Sequence, residues 1–264
     1  MCTLVILRRP RHPWPLVLAA NRDEMIDRPW AAPGRHWPDR PEVVAGLDRT
    51  AGGSWLGLND HGVVAAILNR RSSLGPAPGK RSRGELVLEA LDHADAVQAA
   101  EALAELNPAA YRSFNMVVAD NRDAYWLRNL GTPEAKVIEV RPLPEGLSML
   151  TADDLNDRAS PRIAQHLPAF QAAAAPDPDA PGAPGGDWAA WQEILARGAV
   201  NSETAMTVER GGFQTVSSSL LALPAAAQAP GACPAAPLWL FAPGRPDRNA
   251  YTPLEGLAPS LKEL

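Results

Sequence analysis

Cys2-Thr3-Leu4-Val5-Ile6-Leu7, answered by Leu16-Val17-Leu18-Ala19-Ala20 and then by Asn21-Arg22-Asp23-Glu24, is the stretch on which the fold turns. Leu4–Leu7 and Leu16–Ala20 are apolar runs of strand length, and the intervening Arg8–Pro15 holds three prolines, so the segment reads as a hairpin. Cysteine directly behind the initiator methionine opens the first strand. Removing Met1 would leave that residue with its thiol and a free α-amine. Such an amine titrates near about pH 8, unlike any amide nitrogen, and can act as a built-in general base. The alternative for position 2 is a small buried hydrophobe, since free cysteine is among the most buried residue types. The polar tetrad closes the second strand. Charged groups at the edge of a core must be paired, so Arg22 is expected to neutralise Asp23 or Glu24.

Working outward, Ser54–Leu58, the turn Asn59-Asp60-His61-Gly62 and Val63–Leu68 form a second hairpin, with Gly62 free to take positive φ. Arg28–Pro41, rich in proline and tryptophan, reads as a loop. Ser82-Arg83-Gly84-Glu85 leads into Leu86, Val87, Ala90, Leu91, Ala94 and Val97, a helical spacing with Ser82 as candidate cap. A second, alanine-rich helix is expected over roughly Ala94–Leu106. Phe114–Ala119 and Ala124–Leu127 give a third hairpin, and Lys136–Val140 and Ser148–Leu150 further strands. Ser160–Phe170 suits a helix with Ile163, His166, Leu167 and Phe170 on one face, and Trp188–Arg197 a shorter one. Ala172–Gly186 reads as a flexible surface insert within one domain spanning residues 1–264. Gln214–Leu223 and Leu238–Phe241 close the chain as strands. Hairpins, then helices, then strands fit an α+β layered domain rather than alternating βαβ units.

Composition narrows the function. The chain has 264 residues, 46% hydrophobic and 21% charged, which is ordinary for a globular protein. A formal net charge of -5 with scattered cations argues against a nucleic-acid surface. No apolar run is long enough to cross a bilayer, so no integral membrane association is expected, and no signal-peptide pattern opens the chain. Two cysteines do not make a disulfide framework, which points to a reducing, cytoplasmic setting.

Met1-Cys2, Asn21-Arg22-Asp23-Glu24, Arg28-Pro29, Ala45-Gly46-Leu47-Asp48, Gly52-Gly53-Ser54-Trp55-Leu56-Gly57 and Leu68-Asn69-Arg70 form an ordered set. Ser82-Arg83-Gly84, Phe114-Asn115-Met116 and Thr215-Val216-Ser217-Ser218-Ser219 extend it along almost the whole chain. In order and spacing this set resembles the NRDE family, the transport and Golgi organization protein family. That family looks like the cysteine-type N-terminal nucleophile (Ntn) hydrolases, which implies a four-layer αββα sandwich with the nucleophile at the head of the first strand. The resemblance implies Cys2 as nucleophile, with Arg22 and Asp23 beside it. The hydrolases separate that pair by two residues, so Asn21 or Glu24 could hold one of the two places. Asn69, ending a strand after a glycine turn, matches the asparagine that helps form the oxyanion hole. The later Leu-Ser-Asn-like segment of the hydrolases reads Leu150-Thr151-Ala152-Asp153 here, without an amide donor.

The reading is therefore a hydrolase of linear amide or acyl (thio)ester bonds. Cys2 attacks, its α-amine carries the proton, Asp23 holds that ammonium, Arg22 orients thiolate or substrate, and Asn69 donates to the oxyanion. A nearby ammonium and guanidinium are expected to favour the thiolate. Asn21, Glu24 and Trp55 are supporting or substrate-binding candidates. The alternative is a carrier without turnover, for which the resemblance implies an apolar ligand such as haem or acyl-CoA; no cofactor is required. The five histidines show no metal-ligand spacing, so no metal is assigned. Cys233-Pro234 reads as an incidental cysteine in a loose loop. Trp14, Trp30, Trp37 and Trp55 cover the core or line an apolar pocket.

Overall fold

β1 (Thr3–Arg8) and β2 (Leu16–Met25) pair antiparallel from Thr3 opposite Asn21 to Arg8 opposite Leu16, forming the expected N-terminal hairpin in a computed structural model. The structure describes residues 2–132, 134–198, 203–226 and 235–257. The chain continues through β3 (Trp30–Gly34), β4 (Val43–Asp48), β5 (Leu56–Asn59), β6 (Val64–Asn69), α1 (Gly84–Leu91) and α2 (Ala96–Ala104). Then come β7 (Phe114–Ala119), β8 (Ala124–Asn129), β9 (Glu139–Pro142), β10 (Gly146–Leu150), α3 (Pro161–Ala172) and α4 (Ala189–Leu195). β11 (Glu209–Arg210), β12 (Phe213–Leu223), β13 (Leu238–Ala242) and β14 (Thr252–Pro253) follow. Two compact units result, one from the chain up to Arg28, Pro144–Ala225 and Ala236–Leu257, the other chiefly from Pro29–Leu143.

In the first unit the strand order is β10-β1-β2-β12-β13-β14, with β11 paired to β12. Side chains alternate across each strand, and one face is apolar: Val5, Val17, Ala19, Leu220 and Leu240 pack against Ile163, Leu167 and Phe170 of α3 and Trp191 of α4. Phe170 meets Trp191 edge to face, with ring centroids 5.3 Å apart. α3 thus buries the face its spacing announced. Beyond β10, Asn156 takes a left-handed conformation (φ 58°). Its N–H donates to Met149 O (2.9 Å) and its Oδ1 accepts from Met149 N (2.7 Å), occupying ladder groups of β10. Residues 173–186 form a loop closed by the Asp177–Asp187 bridge and tied to the β1–β2 turn by Trp14 Nε1 donating to Asp179 Oδ2 at 2.8 Å.

In the second unit the strands run β3-β4-β5-β6-β7-β8-β9, each pairing with the next, and α1 and α2 bury Leu86, Val87, Leu91, Ala99 and Leu103 with Val43, Val63, Met116 and Val118. Two expectations need correction. Arg28–Pro41 is not all loop: Trp30–Gly34 is an edge strand, and its register shifts between Ala31 and Gly34, where Pro33 supplies no amide to a ladder. Nor does helical spacing continue through Ala94 and Val97. α1 stops at Leu91 because Asn59 Nδ2 takes the carbonyls of Leu91 (2.8 Å) and His93 (2.7 Å), and α2 restarts with Asp95 capping Gln98 N at 2.8 Å. Ser82 sits one residue ahead of the cap position, its Oγ accepting from Gly84 N.

The glycine motifs of this unit are packing devices. A Cβ on Gly46 would lie 2.3 Å from the Trp55 ring, and one on Gly53 2.5 Å from the Gly84 backbone, whose carbonyl accepts from Ser54 N. Trp55 also meets Trp30 edge to face at 6.0 Å. Among the described residues no helix is long and apolar enough to cross a membrane.

Candidate active site

The thiol of Cys2 takes the next rung of the β1–β2 ladder. Where β1 ends, Asp23 N–H donates to Cys2 Sγ (3.4 Å) and the thiol points its proton at Asp23 O (3.5 Å). A thiolate cannot donate, so this reciprocal pair suits the neutral thiol. Burial first, and then the Asp23 charge, push the Cys2 pKa up; Asp23's backbone bond and Arg22 oppose them without reversing the direction. The terminal ammonium and the Arg22 guanidinium do favour the thiolate, as expected, but burial and the Asp23 charge outweigh them. This half-buried sulfur needs a base to become a nucleophile.

The side chain of Asp23, the residue that holds the sulfur, is fully enclosed. Its Oδ1 accepts from Thr215 Oγ1 at 2.6 Å, and its Oδ2 lies 3.5 Å from Arg162 Nη1. Arg162, at the start of α3 and only 5% exposed, also donates to Thr3 Oγ1 at 2.9 Å. The carboxylate thus has a charged partner as well as a hydroxyl, the arrangement a buried charge requires. The sequence reading paired Arg22 with Asp23 or Glu24. Arg22 Nη2 approaches Glu24 Oε2 at 3.7 Å, Arg28 Nε approaches the same oxygen at 3.7 Å, and Asp23 Oδ2 meets Arg162 of α3.

Alternation explains the split. Asn21 and Asp23 point to the helix-covered face and Arg22 to the other. Asn21 Nδ2 donates to Leu195 O (3.1 Å) and Met206 O (3.0 Å), and its Oδ1 accepts from Ser218 Oγ at 2.6 Å. Ser218 has a single proton, and spending it on Asn21 requires Tyr251 OH, also 2.6 Å from Ser218 Oγ, to act as donor. Burial raises the Tyr251 pKa, which keeps that phenol protonated. Asn21 is therefore a structural clamp on the end of β2. The sequence reading missed Arg162, Thr3 and Tyr251, and carried Thr215 and Ser218 only as part of a motif.

Cys2, Asn21, Arg22, Asp23 and Glu24 come together in the first unit. Asn69 and Trp55 belong to the second: Asn69 ends β6 opposite Phe114, half-buried, and Trp55 precedes β5. There the motif residues Arg70 and Asn115 meet, Nη1 to Oδ1 at 2.7 Å, and Arg83 Nη1 donates to Ser113 O at 2.9 Å. Thr151, in the segment lacking an amide, is buried with its Oγ1 3.3 Å from Ser160 Oγ. Cys233 lies outside the described residues. Among the described residues no group of three or more His, Cys, Asp or Glu could hold a metal.

The family described as Transport and Golgi organisation 2 matches residues 1–178. A Transport and Golgi organization protein 2 homolog of Bos taurus is 35% identical over 133 residues, covering 46% of this chain and 45% of that protein. The Mus musculus homolog is 33% identical over 136 residues with the same shares, 46% and 45%. The chain thus matches just under half the length of these relatives. Among solved structures, a Caenorhabditis elegans N-acylethanolamine-hydrolyzing acid amidase ortholog is similar at a TM-score of 0.56 and 12% identity, covering 83% of this chain and 92% of that one. This likeness shows the fold, the α+β class of the Ntn hydrolases expected from the motifs, and at that identity it shows the fold alone.

Proposed function

The chain belongs to the Transport and Golgi organisation 2 family, and from that premise we propose that it is a cysteine hydrolase of amide or acyl (thio)ester bonds, with Cys2 as nucleophile after removal of Met1. The observation that carries the reading is the seat of the thiol: Cys2 Sγ is held by both main-chain groups of Asp23, whose own buried carboxylate is braced by Arg162 and Thr215. A purely structural cysteine needs no buried carboxylate–guanidinium pair on the residue that holds it.

The chemistry follows from the signs of the charges. On substrate attack Sγ forms a bond to the acyl carbon and its proton passes to the α-amine of Cys2. The negative charge of Asp23 that disfavours the thiolate favours the ammonium formed in that transfer. The C–N or C–S bond then breaks, the leaving group takes the proton, and water hydrolyses the acyl-cysteine to return the thiol and release the acid. Asp23 and Arg162 act as positioning residues, keeping the charge and the end of β2 in place.

Intact mass spectrometry first establishes Met1 removal. Processed wild-type and Cys2→Ser chains are then compared on a panel of acyl amides and thioesters. The expected result is turnover by the wild type that collapses in Cys2→Ser, with ligand affinity retained. Equal turnover by both would sink the nucleophile. A processed wild type that turns over nothing, yet binds haem or acyl-CoA, would replace the hydrolase with a carrier.

A further inference from the structure

Ser217 is 1% exposed, and its Oγ has no hydrogen-bond partner among the described residues. An unpaired buried hydroxyl carries a desolvation cost, so a position that retains one calls for an explanation. The neighbouring residues Thr215 and Ser218 spend their hydroxyls on Asp23 and Asn21, on the helix-covered face. Regular alternation would put Ser217 on the same face as Thr215. The bulge between Thr215 and Ser217 reverses the phase, so Thr215 stands opposite Asp23 while Ser217 stands opposite Arg22. The irregularity re-aims one hydroxyl toward the face that carries the Arg22 guanidinium.

We propose that Ser217 Oγ and the Arg22 guanidinium form a carboxylate subsite, so that the substrates are acyl amides whose leaving amine carries a carboxylate, N-acyl amino acids rather than neutral N-acyl amines. This rests on the Cys2 hydrolase reading. Arg22 lies on the strand next to that of Cys2, and Ser217 one strand further, steps of about 4.8 Å each. In an amino-acid leaving group the carboxyl carbon lies about 3.5 Å along the chain from the scissile carbonyl, the length of one extended residue. A scissile bond at the sulfur therefore sets the carboxylate over the Arg22 strand, where the guanidinium, although its Nη2 lies 3.7 Å from Glu24 Oε2, offers charge and N–H donors and the serine adds a hydroxyl donor.

The test uses N-octanoylglycine and N-ethyloctanamide, which differ in the carboxylate, with processed wild type, Ser217→Ala and Ser217→Thr. The ratio of kcat/KM values, glycine conjugate over ethylamide, is expected to favour the conjugate in the wild type. It should fall about tenfold or more in Ser217→Ala, the worth of one hydrogen bond to a charged group, and recover in Ser217→Thr. Calorimetric binding of N-octanoylglycine to Cys2→Ala and to Cys2→Ala/Ser217→Ala gives the same comparison without turnover. Turnover of both compounds with no preference, or a ratio unchanged in Ser217→Ala, overturns the subsite and leaves the hydrolase standing. No turnover but Ser217-dependent binding overturns the hydrolase and supports the subsite. Without ligand, Ser217→Ala should match or exceed the wild type in urea midpoint. A lower midpoint means that the hydroxyl has a structural partner such as a bound water, and overturns the proposal.

Discussion

Replacing Arg162 with methionine tests whether the site is built on a buried charge. Asp23 has a side chain with 0% exposure and Arg162 one with 6%, so water cannot replace the lost guanidinium. Arg162→Met leaves Asp23 Oδ2 without its 3.5 Å partner and Thr3 Oγ1 without its 2.9 Å donor, while Thr215 Oγ1 still serves Oδ1. Stranding one member of a buried pair costs about 3–5 kcal/mol, and an exposed pair of similar separation at most about 1 kcal/mol. With a urea slope of about 2 kcal/mol per molar, the buried value moves the unfolding midpoint down by roughly 2 M. Urea titrations followed by far-UV circular dichroism would measure it for wild type, Arg162→Met, Asp23→Asn and the double variant. Because the amide introduced by Asp23→Asn keeps the Thr215 bond and removes the charge, the double variant should recover about 1.5–3 kcal/mol relative to the sum of the single losses. A single-variant cost below about 1 kcal/mol, or strict additivity, would refute the claim that Asp23 and Arg162 form a coupled buried pair.

Three further outcomes are expected. In chain that retains Met1, iodoacetamide should modify Cys2 with a pH profile displaced above that of a free cysteine, and Asp23→Asn should bring it down; a profile matching free thiol in both would contradict the raised Cys2 pKa. Burial lowers the His166 pKa below its ordinary 6.5 while Nε2 is engaged by Thr204 O at 2.7 Å, so the unfolded chain binds the proton first. Its contribution is complete above about pH 6.5 and is lost as pH falls toward the lowered folded value; His166→Gln should flatten that part of the stability curve, and an unchanged slope would count against it. Gly46→Ala would drive a methyl into the Trp55 ring, so a loss of about 1–3 kcal/mol with altered tryptophan fluorescence is expected, and a silent variant would show that the ring is free to move.

Much of the frame was legible because its signals are local. The Leu4–Leu7 and Leu16–Ala20 runs, the Asn59–Gly62 turn and the α3 face of Ile163, His166, Leu167 and Phe170 each lie within a few residues, where periodicity and turn chemistry act. Cys2 and Asn21–Glu24 were legible as a group because a hairpin brings the head of one strand to the tail of the next. The edge strand Trp30–Gly34 was obscured by proline and tryptophan, since only its pairing to β4 makes it a strand.

By itself the sequence determined which residues could carry chemistry and that the chain is an α+β protein opening on a cysteine strand. The tertiary structure decided which of them do what. Arg162 reaches Thr3 across 159 positions and Thr215 reaches Asp23 across 192, separations over which no periodicity carries information. Asn59 ends a helix it does not belong to, and one inserted residue in β12 turns Ser217 from the face of Thr215 to that of Arg22. The physical reason is the same throughout: composition and spacing set what each segment prefers, whereas the partner of a buried charge or hydroxyl is whatever folding brings within about 3 Å of it.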